Sequence, residues 1–459
     1  MKNKYFLNKK SGFTLIEMLF FLFIFVTVSL TFYKTLTVGT QVMLESKNRL
    51  SALALANQKM EIVRNLQYDD VGTTSGIPTG TLFASEDVTA SSRTFHVNTF
   101  VQYMDDPLDG SYPDDPIPND YKRVKIAISW KSFSGTDREV SVISRFVPPG
   151  LEVSSGDGIL SINVIDGTGA GVPQADVQIV NNSVSPHINI SQETSDNGNL
   201  MFPGASESIQ KYAITVSKSG YESVTTIDPA SVSYSHTDVH ASVVKGLLNT
   251  KSITIDLLAD LTIKSVDQLG AAIPDVSFHL EGGRNLGTDT SVVPAETVYL
   301  VNSDETTDSS GEKKMLEQGP GQFFITNIES VSGYALVGVS PITLFDSTIP
   351  SYKASLLPGE EKSVEIKFAK EDEPGLIVQV KNDSDSALIN GAEVKLTNTD
   401  GYSQTVVTSL DGVAFFPNNS TALVNGEYAL EVVSSGSQTY SGTVEVNNLT
   451  NQEVKLIAS

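Results

Sequence analysis

Between Phe13 and Val38 the chain reads FTLIEMLFFLFIFVTVSLTFYKTLTV, an apolar run broken by one acid and one lysine. A helix needs roughly 20 such residues to cross a bilayer, so the run is expected to be a transmembrane helix over residues 13–38. Lys2, Lys4, Lys9 and Lys10 precede it with no acid among them. That asymmetry predicts a single pass through the plasma (inner) membrane, with the N-terminus cytoplasmic and the remainder outside. A cleavable secretory signal would show a shorter apolar stretch of about 7 to 15 residues followed by an A-x-A-like site. Neither is present.

Glu17 lies near the start of this run, although a carboxylate at the centre of a membrane helix costs on the order of 3 kcal/mol. The segment KKSGFTLIE resembles the class III leader of type IV pilins and type II secretion pseudopilins. The resemblance implies a prepilin peptidase that cuts between Gly12 and Phe13 and methylates the new Phe13 amine. It also implies that Glu17 pairs with the α-amino group of a neighbouring pilin or pseudopilin subunit. Glu17 falls four residues after Phe13, hence on the same helix face and at the positive end of the mature helix dipole. A plain signal anchor with a chance acid is the alternative.

After Val38 the pattern turns amphipathic, with Leu50, Leu53, Ala56, Met60 and Val63 recurring every three or four residues. No proline occurs between Phe13 and Leu66. One helix is therefore expected over residues 13–66, about 80 Å long at 1.5 Å per residue, loosened at Gly39 and ending before the turn-rich TTSGIPTG. Many pilins carry a proline kink in the membrane half, and this chain does not.

Residues 67–150 read as a small head. Phe95, Val97, Val101 and Tyr103 alternate on one strand, Val124, Ile126, Ile128 and Trp130 on a second, and REVSVISRF supplies a third. Their apolar face can cover the helix stripe, giving an α+β pilin-like arrangement of long helix on antiparallel sheet. The order of helix and strands resembles minor pilins of the pilus-assembly V type. Between the strands, YMDDPLDGSYPDDPIPNDYK gathers Asp105, Asp106, Asp109, Asp114, Asp115 and Asp120. Calcium takes six to eight oxygen ligands from loops of this kind, whereas the spacing is not that of an EF-hand. A solvated acidic loop is the other reading; apart from calcium no cofactor is expected.

The remaining chain repeats at intervals of about 100 residues, the spacing expected of an array of small domains. LSINVIDGTGAGVPQADVQI, LTIKSVDQLGAAIPDVSFHL and LIVQVKNDSDSALINGAEVKL each read as strand, turn, strand. TSDNG at Thr194, TTDSSG at Thr306 and TSLDG at Thr408 follow, and then KYAITVSKSGY, GYALVGV and EYALEVVSSG. This order resembles the carboxypeptidase-regulatory-like and transthyretin-like β-sandwich family. It implies three all-β, Ig-like sandwiches, over residues 157–258, 259–370 and 374–459, after a cleaved leader at 1–12. Lys381 is expected to point outward, since Leu376, Val378 and Val380 take the inward parity, which argues against an intramolecular Lys-Asn cross-link.

The chain has 459 residues and a formal charge of -23, which disfavours nucleic acid because phosphate binding needs clustered Lys and Arg. It lacks cysteine, so thiol chemistry and disulfides play no part. There is no G-x-S-x-G elbow, H-E-x-x-H pair or phosphate loop. His236, Asp238 and His240 alternate, and an exposed strand is the expected reading rather than a metal site. The chain is thus expected not to be an enzyme. It reads as a minor pilin or pseudopilin in a type IV pilus-like or type II secretion-like filament, displaying sandwiches for adhesion to an unknown surface ligand. The alternative is a membrane-anchored carbohydrate or protein receptor independent of filament assembly.

Overall fold

The computed structural model describes residues 14–459 except 92, 107, 109, 111–114, 116, 118, 134, 150–156, 349 and 420. One long helix is followed by β-strands in several open sheets. Two compact units emerge, Met1–Ile159 with Met201–Gly204, and Leu160–Leu200 with Ala205–Ser459.

In the first unit, helix α1 (Leu15–Arg64) runs unbroken through Gly39, where the sequence suggested a loosening. It ends at Asn65, whose backbone amide closes the last turn onto the Glu61, Ile62 and Val63 carbonyls. Four strands follow as an antiparallel sheet in chain order: β1 (Ser85–Ala90), β2 (Arg93–Met104), β3 (Tyr121–Lys131) and β4 (Asp137–Phe146). The inward residues of β2 and β3 are those the alternation picked out, with Phe95, Val97, Val101, Val124, Ile126, Ile128 and Trp130 buried. They pack on a helix stripe of Ala52, Leu55, Ala56, Met60 and Val63. Leu50 and Leu53, expected in this stripe, are 69% and 42% exposed. At about 100° per residue, Leu50 falls opposite Ala52 and Leu53 at the margin, so the stripe follows the smaller alanines that let helix and sheet approach. Each large side chain fully buried here contributes roughly 1.5–3 kcal/mol.

Polar contacts fix the helix and the segment just after it against this sheet. Lys59 Nζ meets Glu86 of β1 at 2.6 Å, and the Trp130 indole donates to Glu45 Oε1 at 3.1 Å. Lys122 is buried, and its Nζ donates to the Tyr68 and Val71 carbonyls, each at 2.8 Å, over the Tyr68 ring. Burial lowers its pKa, while Asp69 and Asp70 act in the opposite sense. One ammonium thus supplies the donors that the chain needs just after the helix.

The rest of the chain forms three successive pairs of sheets. The first comprises a sheet in the order Val224–Thr225, Ser208–Ser217, Asp176–Asn181, Ile188–Glu193 and a sheet of Leu248–Thr254, Gly158–Ile165 and Asn199–Ala205. In the second, Ser277–Asp289, Gly321–Thr326 and Ser351–Leu356 lie side by side, and Glu312–Gln318, Ala259–Val266, Glu361–Lys370 and Tyr334–Ser340 form the partner sheet. In the third, Val413–Phe416, Gly375–Asn382 and Leu449–Leu456 oppose Ser403–Val407, Glu393–Thr397, Gly426–Val433 and Tyr440–Val446. The second and third pairs each enclose their own apolar cluster.

The recurring turn shares one hydrogen-bond pattern in the first and third modules and a two-residue version of it in the middle one. Thr194 and Thr408 donate through Oγ1 to the Val172 and Ile389 carbonyls, each at 2.7 Å, and accept from the Ala175 and Ala392 amides. In the middle module the residue in this place is Thr307, not Thr306; it accepts from the Val276 amide and is joined to Ser265, which donates to the Ile273 carbonyl. Gly198, Gly311 and Gly412 close the three turns with φ of +80°, +70° and +70°. A Cβ at Gly198 would lie 2.4 Å from the Val164 carbonyl oxygen, so glycine is required there by space as well as by dihedral.

Two sequence correspondences change. KYAITVS and EYALEVV do occupy the same place, and Tyr212 and Tyr428 each donate to a nearby carbonyl, of Ser206 at 2.6 Å and Val424 at 3.0 Å. GYALVGV does not: Gly321–Thr326 takes that place in the middle module, and Tyr334–Ser340 is an added edge strand beside Glu361–Lys370 on the other sheet. Short alternating runs look alike by periodicity, and only pairing distinguishes them. His236, Asp238 and His240 do not form an exposed strand either. Ser235–His236 pairs with Thr288 and Gly287 of the neighbouring module, and the Asp238 amide donates to His236 Nδ1 at 2.9 Å.

Beside that pairing, Arg284 Nη1 and Nη2 meet Glu222 and Asp238, each at 2.8 Å, and Nη1 also donates to the Thr254 carbonyl at 3.0 Å. All three charged side chains are mostly buried. Burial raises the Glu222 pKa and the Arg284 charge opposes it. Lys381 points outward as expected, onto Glu453 at 2.7 Å.

Two outcomes follow. Lys122→Met removes one donor from each of two carbonyls, with the Tyr68 carbonyl still accepting from the Val71 amide, and is expected to destabilise the head by about 2–4 kcal/mol; Trp130, the sole tryptophan, reports it by fluorescence during urea unfolding. A loss under about 1 kcal/mol would mean that water replaces the ammonium. Arg284→Met should cost about 2–4 kcal/mol by circular dichroism, because it strands two buried carboxylates. Adding Glu222→Gln and Asp238→Asn to that variant should recover more than half of the loss.

Candidate functional site: the helix start and the acidic loop

The apolar half of α1 presents side chains outward in every direction, with a mean hydropathy of 2.4 in its most apolar window. It is long and apolar enough to cross a membrane. Its threonines are compatible with that setting because each hydroxyl bonds inside the helix. Thr27, Thr31, Thr35 and Thr37 donate to the carbonyls of Phe23, Thr27, Thr31 and Tyr33 at 2.8–2.9 Å.

The one carboxylate in this half sits in the first turn. Thr14 is the N-cap and accepts from the Glu17 amide through Oγ1 at 3.3 Å. Glu17 Oε2 accepts in return from the Thr14 amide at 3.1 Å and from its hydroxyl at 3.0 Å, a reciprocal capping box. The sequence already contained this signature as T-L-I-E. Thr14 is the partner that the acid's position alone does not name. Gly12 and Phe13 lie outside the described residues. Glu17 is therefore oriented by neutral donors, with its charge still uncompensated by any ion pair among the described residues.

The acidic loop joins β2 to β3. Asp105, Asp115 and Asp120 each bring a carboxylate oxygen within 4.8 Å of the others. Asp106 joins the group through its backbone, its amide donating to Asp120 Oδ2, while its own Oδ1 accepts from the Leu108 amide at 3.2 Å. Asp109 and Asp114 lie outside the described residues. Asp115 Oδ1 accepts from the Ile117 amide at 2.9 Å. Spacing alone pointed to six carboxylates; of the four that are described, the fold brings three together.

Sequence reasoning missed Lys122, Glu45 and Arg284. Lys122 shares the inward parity of Val124 and Ile126, and that parity was the available signal. Glu45 and Arg284 gave none, because their partners are 85 and 62 or 46 residues away.

Comparison with known proteins adds three findings. No curated protein matches the chain. Among solved structures, the Bacillus anthracis TIE protein is 16% identical, covering 81% of this chain and 73% of that one, with a TM-score of 0.19. A streptococcal ancillary pilin is 15% identical over 66% of this chain and 99% of that one, with a TM-score of 0.20. A minor pilin of Streptococcus agalactiae is 13% identical over 46% and 96%, again at 0.20. Likenesses this slight carry no argument about role. The family model of the prokaryotic N-terminal methylation motif matches residues 7–33, which span the basic leader, the cap and the first half of the apolar helix. The chain therefore bears a prepilin-type methylation motif at its N-terminus.

Proposed function

We propose that this protein is a minor pilin or pseudopilin, a structural subunit rather than a catalyst. A prepilin peptidase cuts it between Gly12 and Phe13, and the product enters a type IV pilus-like or type II secretion-like filament. The observation that carries this reading is Glu17: a carboxylate fixed in the first turn of an apolar helix, inside a matched methylation motif, whose partners among the described residues are neutral donors. In lipid such a charge is costly without a counter-ion. The α-amino group that cleavage creates on a neighbouring subunit supplies one, and makes the pairing conditional on processing.

The sandwiches then lie outside the membrane as the interacting part, and their bulk limits where the subunit fits. Packed helices stand about 8 to 10 Å apart. A sandwich of about 100 residues has a radius of gyration near 13 Å and is on the order of 30 Å across. Three of them cannot repeat at every helix of a shaft, so the subunit is placed sparsely or at a tip.

Mass spectrometry of the surface form should find an N-terminus at methylated Phe13, with the four leader lysines gone and a formal charge of -23 - 4 = -27. A chain still beginning at Met1 would return the protein to a membrane-anchored receptor. Glu17→Ala should insert in the membrane at least as well as the parent and fail to enter filaments; normal incorporation would remove the carboxylate from assembly.

A further inference from the structure

Asp105 follows the last residue of β2 and Asp120 precedes the first residue of β3, on either side of the rung that pairs Met104 with Tyr121. Asp115, from the connection between them, joins both, with one oxygen from each carboxylate inside a 4.8 Å group. Three carboxylates in so small a space repel one another, and the repulsion grows where water is excluded. Asp115 and Asp120 are only 8% and 6% exposed.

A second observation separates this group from a solvated acidic patch. Asp115 Oδ1 is occupied by the Ile117 amide, and its Oδ2 is buried with no hydrogen-bond partner among the described residues. A polar oxygen in that position normally has a partner, and leaving one out is destabilising. The convergent donors are all oxygens, with no imidazole or thiol in the group, which suits a hard cation. Calcium accepts six to eight oxygens in flexible geometry, whereas magnesium demands a near-ideal octahedron and retains its waters. Three carboxylate oxygens drawn from separate positions of the chain fit the former.

We propose that Asp105, Asp115 and Asp120 form a calcium site that closes the β2–β3 connection. Asp106 is a positioning residue through its backbone amide, which holds Asp120 Oδ2. The site has a consequence for its surroundings. Asp120 lies two residues before Lys122, whose ammonium holds the Tyr68 and Val71 carbonyls beyond the helix end. Bound calcium therefore fixes the start of β3 and, through it, the junction of helix and sheet. The proposal is independent of filament assembly and goes beyond it.

The test uses the full chain in detergent, stripped with a chelator and titrated with calcium chloride or magnesium chloride by calorimetry. One saturable calcium site per chain is expected, with a dissociation constant of about 10⁻⁵ to 10⁻³ M and weaker magnesium binding. Trp130 fluorescence should show the head's melting temperature rising with free calcium. Asp115→Asn should weaken binding about tenfold or more, and Asp372→Asn, an exposed acid elsewhere, should leave it unchanged. Asp105→Asn, at a half-buried position, gives the same comparison if the first variant does not fold. Heat that does not saturate by about 10 mM calcium, or an affinity equal in parent and Asp115→Asn, overturns the site and leaves only diffuse screening of a chain with charge -23.

Discussion

One helix has to satisfy two solvents. In lipid, backbone polar groups must be bonded within the segment itself, so the first half of α1 carries its hydrogen bonds, and even its threonine hydroxyls, internally. Against the head the requirement reverses, and the helix needs a face that a sheet can approach. The same α1 meets both conditions because its composition changes along its length while its backbone does not break. Small residues at Ala52 and Ala56 allow close approach, and Met60 and Val63 fill the space beyond. The sheet contributes alternate residues of β2 and β3, and Lys122 ties β3 to the Tyr68 and Val71 carbonyls just beyond the helix.

The β modules rest on a different device. A buried threonine in two modules, and a threonine and serine acting together in the third, tie the second strand to the turn before the fourth. Because each hydroxyl both donates and accepts, one small side chain satisfies two backbone groups in a place that water does not reach. This tolerates large differences elsewhere, including the added edge strand Tyr334–Ser340 of the middle module.

Most of the architecture was legible because it depends on local periods. The apolar run, the alternation in β2 and β3 and the parity of Leu376, Val378 and Val380 were visible for that reason. Reading failed where partners are distant. GYALVGV and GQFFIT are both credible sandwich strands, and only their pairing shows which one repeats the pattern. His236 looked like an exposed strand because its neighbour, Gly287, is far along the chain. Of the candidate site, the capping box was written in four consecutive residues, whereas the grouping of Asp105, Asp115 and Asp120 required the fold.

In the second and third modules the first and last strands lie side by side and parallel, Ala259–Val266 with Glu361–Lys370 and Gly375–Asn382 with Leu449–Leu456. Parallel neighbours place the start of one strand and the end of the other at opposite ends of the ladder. A pull applied across such a module acts along the strands and loads the rungs together, in shear, instead of peeling them one by one. Each sandwich is thereby oriented to bear tension along its own strands.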